Sequence, residues 1–393
     1  MKQNKEIPAG YKDSSLGIIP EDWEVKKLSQ ISEIDSISLG SNTPCDYEFE
    51  YISLSDVDSD EFQIETTKQV FKSAPSRARR VVSKGDILMS TVRPNLQEFS
   101  IIKSEVKNLI ASTGFAVISA TKCNNEYLFH MLFSSSISKQ IYQVLVGSNY
   151  PAINSSDVKN LKFAIPPLKE QDKIAKILGT WDEAIEKQKI LVEKLEKRKR
   201  GLMRPILKGK IRRPKFIEKR EDTELGDLLD YMQPTPYLVR DTLYDNTYPV
   251  PVLTAGKTFV LGYTNEIDGV FVDLPVIIFD DFTTASKFVN FPFKAKSSAM
   301  KLLKTKRDVN IKFVYEAMQQ IKYAIGGHER HWISKFSFIT IPLPSIEEQN
   351  SIAEVIICFD REIDLARDFL ATFRSQKQGL MQQLLTGKTR VKL

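Results

Sequence analysis

The sequence predicts an α/β protein in which two globular α/β domains are separated by two long helices that pair as an antiparallel coiled coil. Three observations carry that expectation. The chain has 393 residues and 42% hydrophobic content, so it exceeds one ordinary domain and can bury more than one core. A long segment recurs without a gap at a constant spacing of 178 residues (171 to 349, 201 to 379). Both copies then carry the same apolar rhythm, in alternating steps of four and three residues, which lays a seam along one side of a helix.

The repeat fixes the organisation before any local propensity is weighed. Glu170-Gln171-Asp172-Lys173-Ile174-Ala175 matches Glu348-Gln349-Asn350-Ser351-Ile352-Ala353, and Gly201-Leu202-Met203 matches Gly379-Leu380-Met381. The first seam reads Ile174, Leu178, Trp181, Ile185, Gln188, Val192, Leu195, Lys199, Leu202; the second reads Ile352, Ile356, Phe359, Ile363, Ala366, Leu370, Phe373, Lys377, Leu380. A lone helix would leave such a stripe in water, so each needs a partner, and the other copy is the obvious one. Because a whole domain separates the copies, antiparallel pairing gives the simplest chain path; the alternative is that each helix packs on its own neighbouring domain.

Taken in order, residues 1–165 form the first domain, 166–215 the first helix and a basic linker, 216–343 the second domain, and 344–393 the second helix and a tail. Short β-rich runs mark the domains: Asp86-Ile87-Leu88-Met89-Ser90 and Phe115-Ala116-Val117-Ile118 in the first, Pro275-Val276-Ile277-Ile278-Phe279 in the second. Each domain closes on a proline-marked strand, Phe163-Ala164-Ile165-Pro166-Pro167 and Ile339-Thr340-Ile341-Pro342-Leu343-Pro344, where proline stops the strand and extends the chain into the helix. The two domains differ almost throughout while the helices agree, as expected of a constant frame carrying variable modules.

A net charge of +6 suits a polyanionic partner, although many proteins of that charge have none. The three cysteines, Cys45, Cys123 and Cys358, have no metal-type spacing, so neither a disulfide framework nor a zinc site is expected. The polar start and the lack of a run of roughly 18 apolar residues predict a soluble cytoplasmic protein with no membrane partner.

The opening Leu16-Gly17-Ile18-Ile19-Pro20-Glu21-Asp22-Trp23-Glu24-Val25-Lys26-Lys27-Leu28 and a degraded counterpart, Thr223-Glu224-Leu225-Gly226-Asp227-Leu228, begin the two halves. With the Ile-Pro, Glu-Gln, Ile-Ala and Gly-Leu-Met elements of both repeats, and with 279–288 and 327–333, the chain resembles the specificity subunit of a Type I restriction-modification system. The resemblance implies two target-recognition domains, each reading one half of an asymmetric bipartite site in double-stranded DNA, with the helices as spacer. It implies two modification subunits, and restriction subunits in the full assembly, as partners. S-adenosylmethionine and ATP with Mg²⁺ would sit on those partners, leaving this chain with no cofactor, no metal and no catalytic residue. The sequence is consistent: there is no Asp-Pro-Pro-Tyr motif, and Gly256-Lys257-Thr258 follows Pro251 where a phosphate-binding loop needs its first glycine. A self-contained nuclease or methyltransferase and a protein-binding adaptor are the competing classes.

Bases are read by donors and acceptors on exposed loops, whereas phosphate contacts set register. In the first half the candidates are Arg77, Arg79 and Arg80 in a dense basic group, Arg93 with Asn95 after a strand, and Ser148, Asn149 and Tyr150 in a polar loop. A solvated charge run, a salt bridge for Arg93 and an ordinary turn are the bland alternatives. In the second half they are Thr283, Thr284 and Lys287 after a buried-looking strand, and His328, Arg330 and His331 beside a glycine pair. Asp280 and Asp281 suit hydrogen bonding better than metal binding; the histidine cluster admits zinc, catalysis, local packing or DNA contact, the last being the functional reading adopted.

Overall fold

The apolar runs expected at 86–90, 115–118 and 275–279 are strands in the computed structural model, which describes residues 7–58, 63–147, 150–256, 258–306, 308–323 and 331–392. The chain groups into two compact units, Met1–Ile190 with Arg367–Leu393, and Leu191–Ala366. The principal helices are α1 (Asn125–Leu132), α2 (Ser135–Val144), α3 (Leu168–Leu207), α4 (Ile311–Met318) and α5 (Ile346–Leu384). No described helix is long and apolar enough to cross a membrane.

The first unit holds strands β1 (Glu24–Lys27), β2 (Ser32–Ile34), β3 (Glu48–Ile52), β4 (Thr67–Val70), β5 (Ala78–Val82), β6 (Ile87–Ser90), β7 (Phe99–Ile101), β8 (Leu109–Ser112), β9 (Phe115–Ala120) and β10 (Lys162–Ile165). They form two four-stranded sheets, ordered β7-β6-β9-β2 and β4-β3-β8-β5, and an antiparallel pair of β1 with β10. The unbroken apolar run of β6 follows from its place between two cores: Ile87 and Met89 enter one, Leu88 the other.

The second unit holds β11 (Glu221–Glu224), β12 (Leu229–Met232), β13 (Val250–Leu253), β14 (Val260–Thr264), β15 (Val276–Asp280), β16 (Ser286–Val289), β17 (Lys294–Ala295), β18 (Met300–Thr305) and β19 (Thr340–Leu343). Its sheets run β16-β15-β18-β12 and β14-β13-β17, and β11 pairs with β19. This is the plan of the first unit without a counterpart of the edge strand β5. The four-stranded sheets agree strand for strand, and β13 lies parallel to β17 and antiparallel to β14 as β3 lies to β8 and β4. The opening motif of each half is the strand that pairs with the proline-marked strand at its close.

Each half of α3 and α5 belongs to a unit, so the contact division cuts both helices, whereas the sequence boundaries at 165, 215 and 343 separate helices from domains. In the first unit Trp181 meets Phe373 edge-on with centroids 5.9 Å apart, and Asp182 pairs with Lys377. In the second unit Val192, Leu195, Ile363 and Ala366 form one apolar cluster, and Lys199 pairs with Asp360 at 2.6 Å. Later residues of one helix meet earlier residues of the other. The two lysine–aspartate pairs are the same pair in both repeat copies, 178 residues apart (182 to 360, 199 to 377). At the end of the first seam the structure corrects the expectation: Leu202 is 43% exposed and Met203 is buried. There α3 docks Met203 and Leu207 on the core of the second unit, a direction one residue's turn away from the seam.

The repeated Glu-Gln step joins helix to domain. Gln171 Oε1 accepts the Asn124 N–H at 2.8 Å, and Asn124 caps α1; Gln349 Oε1 accepts the Asn310 N–H at 2.9 Å, and Asn310 caps α4. Glu170, 1% exposed, accepts from Trp23 Nε1 and from Arg390; Glu348, 2% exposed, accepts from Arg212 and from Arg220. Arg220 stands where the first half has Trp23, and its Nη1 also donates to the carbonyls of Ile206 and Leu207, serving the open end of α3.

On α1, burial, with Lys377 and Lys103 nearby, pushes His130 down to about 3, so at neutral pH its ring is uncharged despite Asp182 lying 3.7 Å away. The unfolded chain takes a proton near the ordinary value of about 6.5 that the folded chain refuses. Stability from this group is therefore complete above pH 6.5 and is lost as pH falls toward 3, by up to about 1.4 kcal/mol per pH unit. His130→Gln is expected to flatten that slope, read from urea unfolding of the first unit between pH 6 and 4; an unaltered slope would show that His130 is not the group responsible.

Candidate nucleic-acid interface

The hairpin between β6 and β7 is held at several backbone points. Arg93 has φ 50°, and its N–H donates to the Pro151 carbonyl at 2.7 Å, while its own carbonyl accepts from Leu96 at 2.9 Å. Pro94 is buried and begins a short 3-10 turn, Pro94–Leu96. From this base the exposed Arg93 side chain lays its guanidinium over Tyr150, with Cζ 4.5 Å from the ring centroid. Tyr150 is 71% exposed. Asn95 is half-buried, and its Oδ1 is enclosed with no hydrogen-bond partner among the described residues.

A chain of backbone bonds ties neighbouring segments to this hairpin. Thr91 donates through N–H and hydroxyl to the Gly114 carbonyl, both at 2.8 Å, and accepts from the Ile153 N–H at 2.9 Å. Thr113 in turn donates to the carbonyl of Arg77 at 2.8 Å. The structure thus gathers the Arg77 turn, the 113–114 turn, the Arg93 hairpin and the Tyr150 segment at one end of the unit.

The other two arginines turn elsewhere. Arg79 and Arg80 are adjacent on β5 and so leave opposite faces. Arg79 stacks on Phe71 at 4.8 Å and donates to the Ala78 carbonyl. Arg80 pairs with Asp35 at 3.0 Å, and Asp35 also accepts from Val117 N–H and the Ser155 hydroxyl. The salt bridge considered for Arg93 therefore belongs to Arg80. Ser148 and Asn149 lie outside the described residues.

The hairpin between β15 and β16 is the counterpart of the β6–β7 hairpin in the second unit. Asp280 folds it: its Oδ1 accepts from the N–H groups of Phe282 and Thr283 at 2.9 and 2.8 Å, and its carbonyl accepts from Thr284 at 2.9 Å. Thr284 takes φ 56°. Thr283 is exposed, Thr284 and Lys287 are half-buried, and Phe282 stands 45% exposed at the turn. Asp281 is buried, accepting from the Tyr231 hydroxyl at 2.6 Å and the Trp332 N–H at 3.1 Å, so both aspartates act as hydrogen-bond acceptors.

His328 and Arg330 lie outside the described residues. His331 corrects the sequence reading: it is 0% exposed, with Nδ1 3.3 Å from the Tyr323 hydroxyl and its N–H donated to the Asp281 carbonyl. Enclosed there, its ring belongs to packing, since base readout needs a side chain that a groove can reach. No group of three or more metal-ligating side chains occurs among the described residues. Sequence reasoning missed Thr91, Thr113 and the exposed Leu96, which lie on turns with no signal beyond their place between strands.

Two stretches of the chain, residues 20–196 and 217–371, match the family described as Type I restriction modification DNA specificity domain. The chain is similar to the putative type I restriction enzyme MjaX specificity subunit of Methanocaldococcus jannaschii, at 28% identity over 97% of each chain. It is also 46% identical to the EcoR124I/EcoR124II specificity subunit of Escherichia coli over 165 residues, which are 39% of this chain and 41% of that relative. Among solved structures, the Type-I restriction-modification system S subunit from M. genitalium aligns with 92% of this chain and 96% of its own, at TM-score 0.60 and 13% identity. A chain from a type I R-M system solved for its complex assembly and conformational transition aligns with 94% and 99%, at TM-score 0.56 and 18% identity.

Proposed function

The chain belongs to the Type I restriction modification DNA specificity family, and from that membership we propose that it is the sequence-reading subunit of a Type I restriction-modification assembly. Each unit takes one half of an asymmetric bipartite site in double-stranded DNA. The observation that carries the reading is one sheet plan built twice, with different chemistry at the same hairpin: an arginine stacked on tyrosine in one, threonines beside an exposed phenylalanine in the other. A constant frame with different tips is what two unlike half-sites require, because base edges and not phosphates carry sequence.

In this reading α3 and α5 form an antiparallel coiled coil that serves as spacer, supported by earlier residues of α3 meeting later residues of α5 in the first unit and later residues of α3 meeting earlier residues of α5 in the second. The chain works in the cytoplasm without catalysis of its own. Two modification subunits bind S-adenosylmethionine and transfer methyl groups, and restriction subunits use ATP and Mg²⁺. Arg77, Arg93, Tyr150, Thr283, Thr284 and Lys287 face DNA, with Ser148, Asn149, His328 and Arg330 assigned by sequence alone.

The test is an exchange of residues 1–165 for the matching segment of a relative, followed by mapping of methylated adenines in cells carrying the whole assembly. One half of the methylated motif should change and the other should stay. A motif altered in both halves, or in neither, would overturn the assignment of one half-site to each unit.

A further inference from the structure

Resting on that reading, we propose that Arg93 reads a guanine in the half-site of the first unit and that Tyr150 fixes the plane in which it does so. The hairpin holds the Arg93 backbone through the Pro151 and Leu96 hydrogen bonds, with buried Pro94 directly after it. A left-handed φ of 50° is an unfavourable setting for a side chain as large as arginine. The surrounding bonds hold it there, and the exposed guanidinium is carried onto the equally exposed Tyr150 ring at 4.5 Å.

Stacking uses a face of the guanidinium and leaves its in-plane donors for hydrogen bonds. Guanine offers two acceptors side by side in the major groove, O6 and N7, and a planar fork of donors with no acceptor matches that edge. Adenine puts an amino donor at the O6 position and is refused. A fork already laid flat on a ring also loses less rotamer freedom on binding than a loose one. Two of the three arginines of the basic group are engaged within the fold, Arg79 on Phe71 and the Ala78 carbonyl, Arg80 on Asp35, and Arg77 stays exposed on its turn without that stacking support. The turn of the matching hairpin in the second unit carries Thr283 and Thr284, whose hydroxyls both donate and accept, so a guanine read by an arginine at this hairpin belongs to the first half-site only.

The experiment uses the chain assembled with its modification subunits, wild type and with Arg93→Gly, Arg93→Lys, Tyr150→Phe and Tyr150→Leu. Methylation is mapped in cells, and binding is measured on duplexes in which each guanine of the half-site is replaced in turn by 7-deazaguanine, which lacks the N7 acceptor. Glycine suits φ 50°, so Arg93→Gly keeps the hairpin. The wild type should lose about one to two orders of magnitude in affinity at one guanine when it is replaced. Arg93→Gly should be insensitive to that replacement and should accept any base there, with the other half-site unchanged. Arg93→Lys should keep part of the affinity and lose the discrimination; Tyr150→Phe should behave as wild type, and Tyr150→Leu should weaken binding at the same position. A bipartite motif that Arg93→Gly reads unchanged, or a wild type indifferent to 7-deazaguanine at every position, overturns the assignment of Arg93 alone. A wild-type assembly with no bipartite motif overturns the functional reading together with it.

Discussion

Replacing Glu348 with alanine is expected to destabilise the second unit by about 3–5 kcal/mol, the range for stranding the partner of a buried ion pair. Its carboxylate is 2% exposed and holds Arg212 at 2.6 Å and Arg220 at 2.7 Å, the latter only 6% exposed. Burial pushes the carboxyl up, and the hydrogen bonds from the two guanidiniums outweigh that and hold it below its usual value. A carboxylate lowered in the folded state stabilises above the unfolded pKa and loses that contribution as pH falls through the folded one. Glu348→Ala should therefore differ most from wild type at neutral pH and converge with it in acid. Glu170→Ala, at the repeat-equivalent position, should cost about half as much, because Arg390 keeps Asp22 at 2.8 Å and is itself 39% exposed. Two units do not make one two-state transition, so hydrogen exchange of peptides from 221–343 and from 24–165 must be followed separately. Equal protection of 221–343 in wild type and Glu348→Ala would refute the argument.

Gly387→Ala is expected to cost about 3 kcal/mol and Gly209→Ala about 1 kcal/mol, although the two glycines are repeat-equivalent and share φ of 70° and 72°. Both pay for a left-handed backbone that alanine disfavours. At 209 the nearest neighbour of a new Cβ would be the flexible Arg220 side chain at 3.4 Å, which is ordinary contact. At 387 the Cβ would fall 2.5 Å from Pro20 Cγ, and a proline ring cannot turn aside. The tail must then lift, giving up the Tyr11 hydroxyl bond to the Gly387 carbonyl and the Arg390 clasp on Asp22 and Glu170. The check is thermal unfolding with hydrogen exchange across 385–392. A Gly209→Ala chain that loses as much as Gly387→Ala would show that backbone strain, and not the contact with Pro20, sets the cost.

Much of the helical frame was legible because its signals are local. A four-three seam needs only the helix period, and an ungapped repeat needs only counting; Val192, Leu195, Ile363 and Ala366 are buried together as the seams foretold. Leu202 departs from its seam because burial at a helix end follows whatever core the helix docks on, and periodicity alone does not name that core.

The sites were legible only in outline. Sequence could nominate Arg77, Arg79, Arg80 and Arg93 as one basic class, since their chemistry is the same, but it could not sort them. The partners of Arg93, Arg79 and Arg80, which are Pro151, Phe71 and Asp35, lie 58, 8 and 45 positions away (93 to 151, 79 to 71, 80 to 35), and only folding brings them close. His331 looked like a loop residue beside a glycine pair and lies enclosed against Tyr323.

Two halves, a repeated helical frame and modules with different side chains between its copies can all be read from the order of residues. That those modules share the order of their four-stranded sheet β7-β6-β9-β2 and β16-β15-β18-β12, and that the Arg93 and Thr283 loops are the same hairpin, emerges only on folding. The reason is physical: strand pairing is made by backbone groups that every residue carries, so one topology tolerates many side-chain sets, whereas a helix seam is written in the side chains themselves.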